Sequence, residues 1–342
     1  MFKDKVILVT GGTGSIGSEI VKQLLAHSPK TIRIFSRDES KQFYMQQELK
    51  EYSNIRYLIG DIRDKNRLQY AAEGVDYIFH AAALKHVPSC EYNPLEAVKT
   101  NVIGVQNIIE VAIENNVSKV IAISTDKVVN PLNTMGATKL LSEKLIGAAN
   151  YYKGSRDITF SCVRFGNVMG SRGSVIPLFM EQIEKNIPLT VTHKDMTRFM
   201  MSIPQAAQLV LKAAEHSKGG EVFVLKMPTL KIIDLAKTLI NMYEQETGRE
   251  CGSEIIESGI RPGEKLFEEL MTLEESERAL HNDIMYLIPS LFSNIKEAEY
   301  DGFAVAKREE YSSLNAPKLE KQDILHLLKE NDFGFMEKSN LI

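Results

Sequence analysis

KVILVTGGTGSIGSEIVKQLLA, residues 5–26, sets a β-branched run, a glycine cluster and an amphipathic stretch in immediate succession. The run 5–10 reads as a strand, and 16–26, with its apolar residues on one face, reads as the helix that follows. In that context Gly11 permits a tight turn, Gly14 lets the backbone approach a pyrophosphate, and Gly17 lets the helix pack closely. Thr13, Ser15 and Ile16 complete the loop, and the phosphates would rest on the helix N-terminus. A dinucleotide site is the expectation.

Working outward, TIRIF (31–35), IRYLI (55–59), DYIFHAA (76–82), KVIAIST (119–125) and ITFSCVR (158–164) alternate with helical patterns such as 101–116. Each parallel return needs a crossover helix, so the alternation predicts an α/β fold with a doubly wound parallel Rossmann sheet over residues 1–165. Beyond about residue 165 come Gly/Pro-punctuated segments, GSRGSVIPLF and RPGEK, which predict a smaller α/β substrate lobe. Residues 166–342 are expected to be mainly that lobe and a C-terminal cap ending in a helix, KQDILHLLKEN. EVFVLK, 221–226, reads as one more strand returning to the sheet.

The chain has 342 residues, 44% hydrophobic and 25% charged, with a formal charge of −4. That balance suits a globule with a full core and offers no basic field for nucleic acid or anionic membrane. No stretch approaches the roughly 20 apolar residues of a membrane span, and MFKDKVILVTGG shows no signal-peptide cleavage site. A cytoplasmic location is expected. Cys90, Cys162 and Cys251 are odd in number and far apart, which favours reduced thiols over disulfides or a zinc cluster.

The second strand should end beside an adenosine ribose, where a carboxylate accepts the 2′-hydroxyl of NAD and repels the 2′-phosphate of NADP. Ser36 and Arg37 come first there and favour NADP, while Asp38 keeps NAD open. Asp61, followed by Ile62 after the third strand, could accept from an adenine amine or serve simply as a turn residue.

After KVIAI come Ser124, Thr125, Asp126 and Lys127, and Met135 opens a helix that carries Lys139 one turn later. In the extended short-chain dehydrogenase/reductases, which the chain resembles from about residue 3 to 290, that spacing carries Tyr and Lys. Met135 stands at the phenol position, and a thioether exchanges no proton. A proton leaving an oxidised hydroxyl must therefore pass to Thr125, Ser124, water or Lys139. Asp126 and Lys127, an acid beside an amine at the C-terminal edge of the sheet, suit an elimination next to a ketone.

FHAAALKHVPSCEYNPLEAVKTNVIG, STDKVVNPLNTMGATK, RFGNVMGSRGSVIPLF, DMTRFMMSI and RPGEKLFEEL together resemble the UDP-N-acetylglucosamine 4,6-dehydratases. The resemblance implies a lyase acting on UDP-N-acetylglucosamine with bound NADP, a homo-oligomer, and a product inverted at C5 for surface-glycan or pseudaminic acid synthesis. It implies Asp126 as elimination acid, Lys127 as base and Lys139 on the nicotinamide ribose. Ala81, Ala82, Lys85 and Asn101 would line the cofactor, with Lys85 also able to reach substrate. Asn167 would hold the diphosphate, with Arg172, Val175, Arg198 and Arg261 around the UDP and Glu264 on its ribose. Two alternatives stay open: hydride return to C4, giving a 5,6-ene, and a non-catalytic NADP-sensing protein. A sensor has no need of Asp126, Lys127 or the lobe arginines.

Overall fold

The computed structural model describes residues 1–171, 173–291 and 300–335. Its contacts divide the chain into two compact units. The first comprises Met1–Phe165, Pro204–Lys226 and Leu270–Glu310; the second comprises Gly166–Ile203, Met227–Glu269 and Tyr311 to the C-terminus.

In the first unit β1 (Val6–Thr10) lies between β2 (Thr31–Ser36) and β4 (Tyr77–His80). Outside β2 runs β3 (Ile55–Ile59). Beyond β4 come β5 (Lys119–Ile123), β6 (Thr159–Arg164) and the strand Val222–Leu225, all parallel. This is the doubly wound sheet expected from the alternation, and its strand order reverses between β1 and β4. Ligands of open α/β sheets sit at such a switch point, outside the carboxyl ends of the strands. Ile7, Leu8 and Val9 of β1 are wholly buried, as a strand covered on both faces requires.

Three short antiparallel strands, Met285–Ile288, Leu280–His281 and Ala304–Val305, extend the sheet beyond Val222–Leu225. The sequence reading left 204–220 and 270–310 in the lobe; in the structure they belong to the first unit. A buried charge cluster accounts for the second segment. Arg164, at the end of β6, donates to Glu143 from Nε and Nη2 and to Glu275 from Nη1 and Nη2, and Nη1 also reaches the Leu270 carbonyl. Burial works against both charges, yet Glu143 and Glu275 hold the Arg164 guanidinium up, and Arg164 holds Glu275 below the usual carboxylate range. An arginine so placed must keep both carboxylates, and one of them rides on the returning segment.

The second unit contains a three-stranded sheet of Thr229–Lys231, Thr197–Met201 and Asn167–Val168, and a parallel pair of Leu189–Val191 with Ile255–Glu257. Helices Val175–Glu184, Ile232–Thr247 and Lys321–Glu330 pack around a core that includes Phe179, Leu189, Met200, Leu235 and Leu239. The helix Lys321–Glu330, last among the described residues, is more than a solvated cap: Ile324 and Leu328, one turn apart, are buried in that core while Lys321 and Lys329 stay exposed. No helix among the described residues is long and apolar enough to cross a membrane.

Candidate active site

The glycine loop of the first unit is shaped by backbone contacts. Gly11 has φ +68°, and a Cβ there would lie 2.7 Å from the Ala82 nitrogen. A Cβ on Gly17 would lie 2.3 Å from the Gly11 carbonyl oxygen, so the helix α1 (Ser15–Leu25) starts hard against the turn. At Gly14 a Cβ would meet only that same oxygen, at 3.1 Å, and no side chain caps α1. The first-turn N–H groups of a helix have no intrahelical partner, so this end is a ready anion cradle. Thr13 is buried, Ser15 and Ile16 half-buried, and the Ala81–Ala82 backbone runs against Gly11.

At the end of β2 the Asp38 carboxylate is committed elsewhere. It caps the helix Glu39–Glu48 by accepting from the Lys41 N–H at 3.0 Å, and it pairs with the Lys41 ammonium at 2.5 Å. Arg37 is more than half exposed, 3.8 Å from Asp61. Ser36 is buried, and its hydroxyl accepts from Gln42 Nε2 at 3.0 Å. Burial pushes the Asp61 carboxyl up, but hydrogen bonds and charge from Arg63, with Arg37 behind, bring it below its ordinary value. Both Asp61 oxygens accept from Arg63. Ile62 is buried and touches the position a Cβ of Gly104 would take.

Past the end of β5, Asp126 is 4% exposed on its side chain. Lys127 Nζ donates to its two oxygens at 2.9 and 3.0 Å, and Thr125 Oγ1 donates to Oδ1 at 2.8 Å. Lys139, on the helix Thr134–Tyr152, reaches back to the carbonyl of Ile123 at 2.5 Å, and its burial lowers the ammonium pKa. Met135 packs in an apolar cluster with Cys90 and Ala97. The amide of Asn101 grips the segment after β4, accepting from the Leu84 N–H and donating to the Leu84 carbonyl and Thr138 Oγ1. Asn101 lies in a π-helical stretch, Val98–Ile103, where a plain α-helix was expected from 101. Lys85 is exposed on the segment that Asn101 holds.

The second unit carries a cavity of about 250 Å³. Asn167, Val175, Arg198, Arg261 and Glu264 all line it, so five of the residues named, from three separate motifs, meet in one place. Arg172 lies outside the described residues. Arg198 is 9% exposed and closely bound: Nη1 donates to the Thr197 and Leu266 carbonyls, and Nη2 to the Lys265 carbonyl and Glu264 Oε1. Its Nε lies 3.3 Å from Glu268 Oε1. Glu264 Oε2 also accepts from the Arg261 N–H at 3.4 Å, which folds the RPGEK turn on itself.

The surroundings of several residues at these sites are not legible in the sequence. Ser124 Oγ and His80 Nε2 are buried at the ends of β5 and β4 without a hydrogen-bond partner among the described residues. Burial, with the Lys139 charge second, takes the His80 imidazole down to about 3, and Thr10 Oγ1 holds its Nδ1 at 2.7 Å. A Cβ on Gly136 would lie 2.2 Å from the Lys127 carbonyl oxygen, so only glycine lets this helix start beside the acid and amine. In the second unit Ser174, Thr190 and Thr192 line the cavity, and so do Met196 and Met200, which also belong to the core of that unit. Glycine in a helix's first turn is a legible sign of close approach; the isolated hydroxyls carried no such sign.

The sequence profile of a family described as "Polysaccharide biosynthesis protein" matches residues 7–289. A Methanocaldococcus jannaschii protein named as an uncharacterized membrane protein is 53% identical over 331 residues, covering 96% of each chain. A Rickettsia felis protein named UDP-glucose 4-epimerase is 42% identical over 347 residues, covering 99% of this chain and all of the other. The X-ray structure of Pen from Bacillus thuringiensis superposes with a TM-score of 0.89 at 47% identity, over 96% of this chain and 98% of that one.

Proposed function

Because the chain belongs to the polysaccharide biosynthesis protein family, we propose that it is a nucleotide-sugar enzyme, an NADP-dependent UDP-N-acetylglucosamine 4,6-dehydratase. The observation that carries the reading is the hydrogen-bonded run Thr125, Asp126 and Lys127 at the carboxyl edge of the sheet. An acid and an amine in contact form an ion pair, or, by one proton shift from Nζ to Oδ, a neutral carboxylic acid beside a free amine. The neutral form gains as water leaves, since desolvation penalises both charges. It is the form an elimination needs: Lys127 Nζ takes the C5 proton, Asp126 protonates the departing C6 oxygen, and the pair ends as carboxylate and ammonium.

The glycine cradle, the uncapped α1 and the unpartnered Ser124 hydroxyl fit a dinucleotide. Bound there, its nicotinamide would supply the oxidation of the C4 hydroxyl that acidifies C5, and the later return of the hydride. Thr125 Oγ1, already hydrogen-bonded to Asp126, is the proposed route for the proton leaving the C4 oxygen. Lys139 holds the nicotinamide ribose, while Asn101 keeps the segment carrying Lys85 in place. NADP is the preferred form, since Asp38 is engaged as a helix cap and Arg37, more than half exposed and 3.8 Å from Asp61, can turn to a 2′-phosphate. In the second unit Arg261 and Arg198 bind the diphosphate and Glu264 the ribose, because guanidinium forks match phosphate oxygens. A homo-oligomer completes the reading, supported by exposed Tyr92, Leu95 and Ile103 on the helices of the first unit, and the cytoplasm is its proposed location.

The relatives named UDP-glucose 4-epimerase favour a second reading, C4 epimerisation, which shares the oxidation but loses no water. Proton NMR of a reaction with UDP-N-acetylglucosamine separates them. A C6 methyl doublet is expected, from a 4-keto-6-deoxy sugar inverted at C5. Vinylic C6 protons would mean hydride return to C4 and a 5,6-ene. A C4 epimer with C6 still hydroxylated overturns dehydration.

A further inference from the structure

The cavity of the second unit has a carboxylate behind it that no motif role accounts for. Glu268 is 4% exposed and does not line the cavity. Its Oε1 accepts from Asn167 Nδ2 at 2.7 Å and lies 3.3 Å from Arg198 Nε; its Oε2 accepts from the Phe199 N–H at 2.9 Å. Its own N–H donates to Ser313 Oγ, which also meets Thr197 Oγ1 at 2.7 Å. One buried carboxylate thus ties together two cavity-lining side chains and the strand Thr197–Met201.

We propose that Glu268 is the positioning residue of this cavity, fixing which end of the Asn167 amide and which edge of the Arg198 guanidinium face a bound nucleotide diphosphate. An ionised carboxylate only accepts hydrogen bonds, so it holds the amino end of Asn167 and rejects the carbonyl end. One N–H of Asn167 is spent on Glu268, which leaves the second N–H for a phosphate oxygen. Without the carboxylate the amide is free to turn and present its oxygen, which a phosphate repels. Likewise Arg198 Nε is anchored, so the guanidinium plane is set by its inner edge and its Nη2 side meets Glu264, the contact at 3.3 Å that a phosphate oxygen would replace most readily. The Glu268 carboxylate offsets the buried Arg198 charge, so this orientation is held in a site that water does not reach freely.

The inference rests on the nucleotide reading of the cavity, and calorimetry with UDP on the full chain tests both. Wild-type protein is expected to bind UDP. Glu268→Gln, the same shape with a neutral amide, is expected to weaken UDP roughly tenfold while leaving NADP affinity unchanged. In an Asn167→Ala background the same substitution should cost clearly less, because its effect passes through Asn167. Glu268→Asp, which keeps the charge on a shorter arm, should show the same non-additivity with Asn167→Ala and serves if Glu268→Gln does not fold. With selective ¹⁵N-asparagine labelling, the Asn167 side-chain amide proton donated to the carboxylate should move upfield in Glu268→Gln. UDP binding by the wild type with fully additive losses overturns the role of Glu268 alone. No UDP binding by the wild type overturns the nucleotide reading as well.

Discussion

The glycine cradle of the first unit and the cavity of the second are built from different material. The cradle is backbone: Gly11, Gly14, Gly17 and the start of α1 lie within a dozen residues, and its side-chain requirement is mainly their absence. The cavity is side chain: Asn167, Arg198 and the pair Arg261 and Glu264 come from three separate segments, and the first two meet Glu268, 101 residues from Asn167. A site made of backbone is local and survives most substitutions outside its glycines. A site made of side chains depends on partners far away in sequence, and each loss propagates.

The largest expected effect concerns the acid and amine, where the first unit relies on side-chain chemistry. Lys127→Ala should slow C5 deuterium wash-in from heavy water about 10²- to 10⁴-fold, the usual worth of a positioned base, with UDP affinity retained. Wash-in at the wild-type rate would assign the base elsewhere. Gly17→Ala probes the backbone side: its methyl would sit 2.3 Å from the Gly11 oxygen. NADP binding should fall about 100-fold or vanish, by the roughly 3 kcal/mol that displacing a helix start implies. UDP titrated against the same variant should bind as before, and a parallel fall would erase the contrast.

His80 gives a smaller effect, on stability. It is neutral in the fold, with its pKa lowered from 6.5 to about 3 by burial. The unfolded chain therefore takes up its proton first as pH falls. Stability from this source is complete above pH 6.5, declines below it and is lost near 3. At about 1.4 kcal/mol per pH unit, roughly 2 kcal/mol should go between pH 6.5 and 5. Denaturant titrations should show a shallower slope in His80→Asn, and an unchanged slope would place the titration elsewhere. The smallest effect belongs to Arg37→Ala, which should weaken NADP by about 1 kcal/mol, the scale of an exposed ion pair, and leave NAD unchanged. Isothermal titration with both cofactors decides it; an equal change in the two removes the 2′-phosphate argument.

The same contrast governs how much could be read from the sequence. The parallel strands and the cradle were legible because their causes are local: β-branched runs, and glycines at a strand-to-helix junction. The motif residues of the cavity could be named, but not their common support, because Glu268 looks like any acid in LFEEL until Asn167 and Arg198 are known to face it. Asp38 keeps NAD open in the sequence, and its part as a helix cap depends on where the helix Glu39–Glu48 begins. The docking of 270–310 was hidden for a related reason: Arg164 and Glu275 are 111 residues apart, and neither segment alone announces its charge partner.

The chain visits the two units alternately, so the second is written in three separate pieces, 166–203, 227–269 and 311 onward. Recombination between related genes trades contiguous stretches. A single crossover that brings in a foreign RPGEK turn and its Glu268 leaves the resident Asn167 and Arg198 facing an unfamiliar carboxylate. Substrate preference in this architecture is therefore poorly suited to inheritance as a cassette, and changes in it should accumulate by paired point substitutions while the cradle passes between lineages intact.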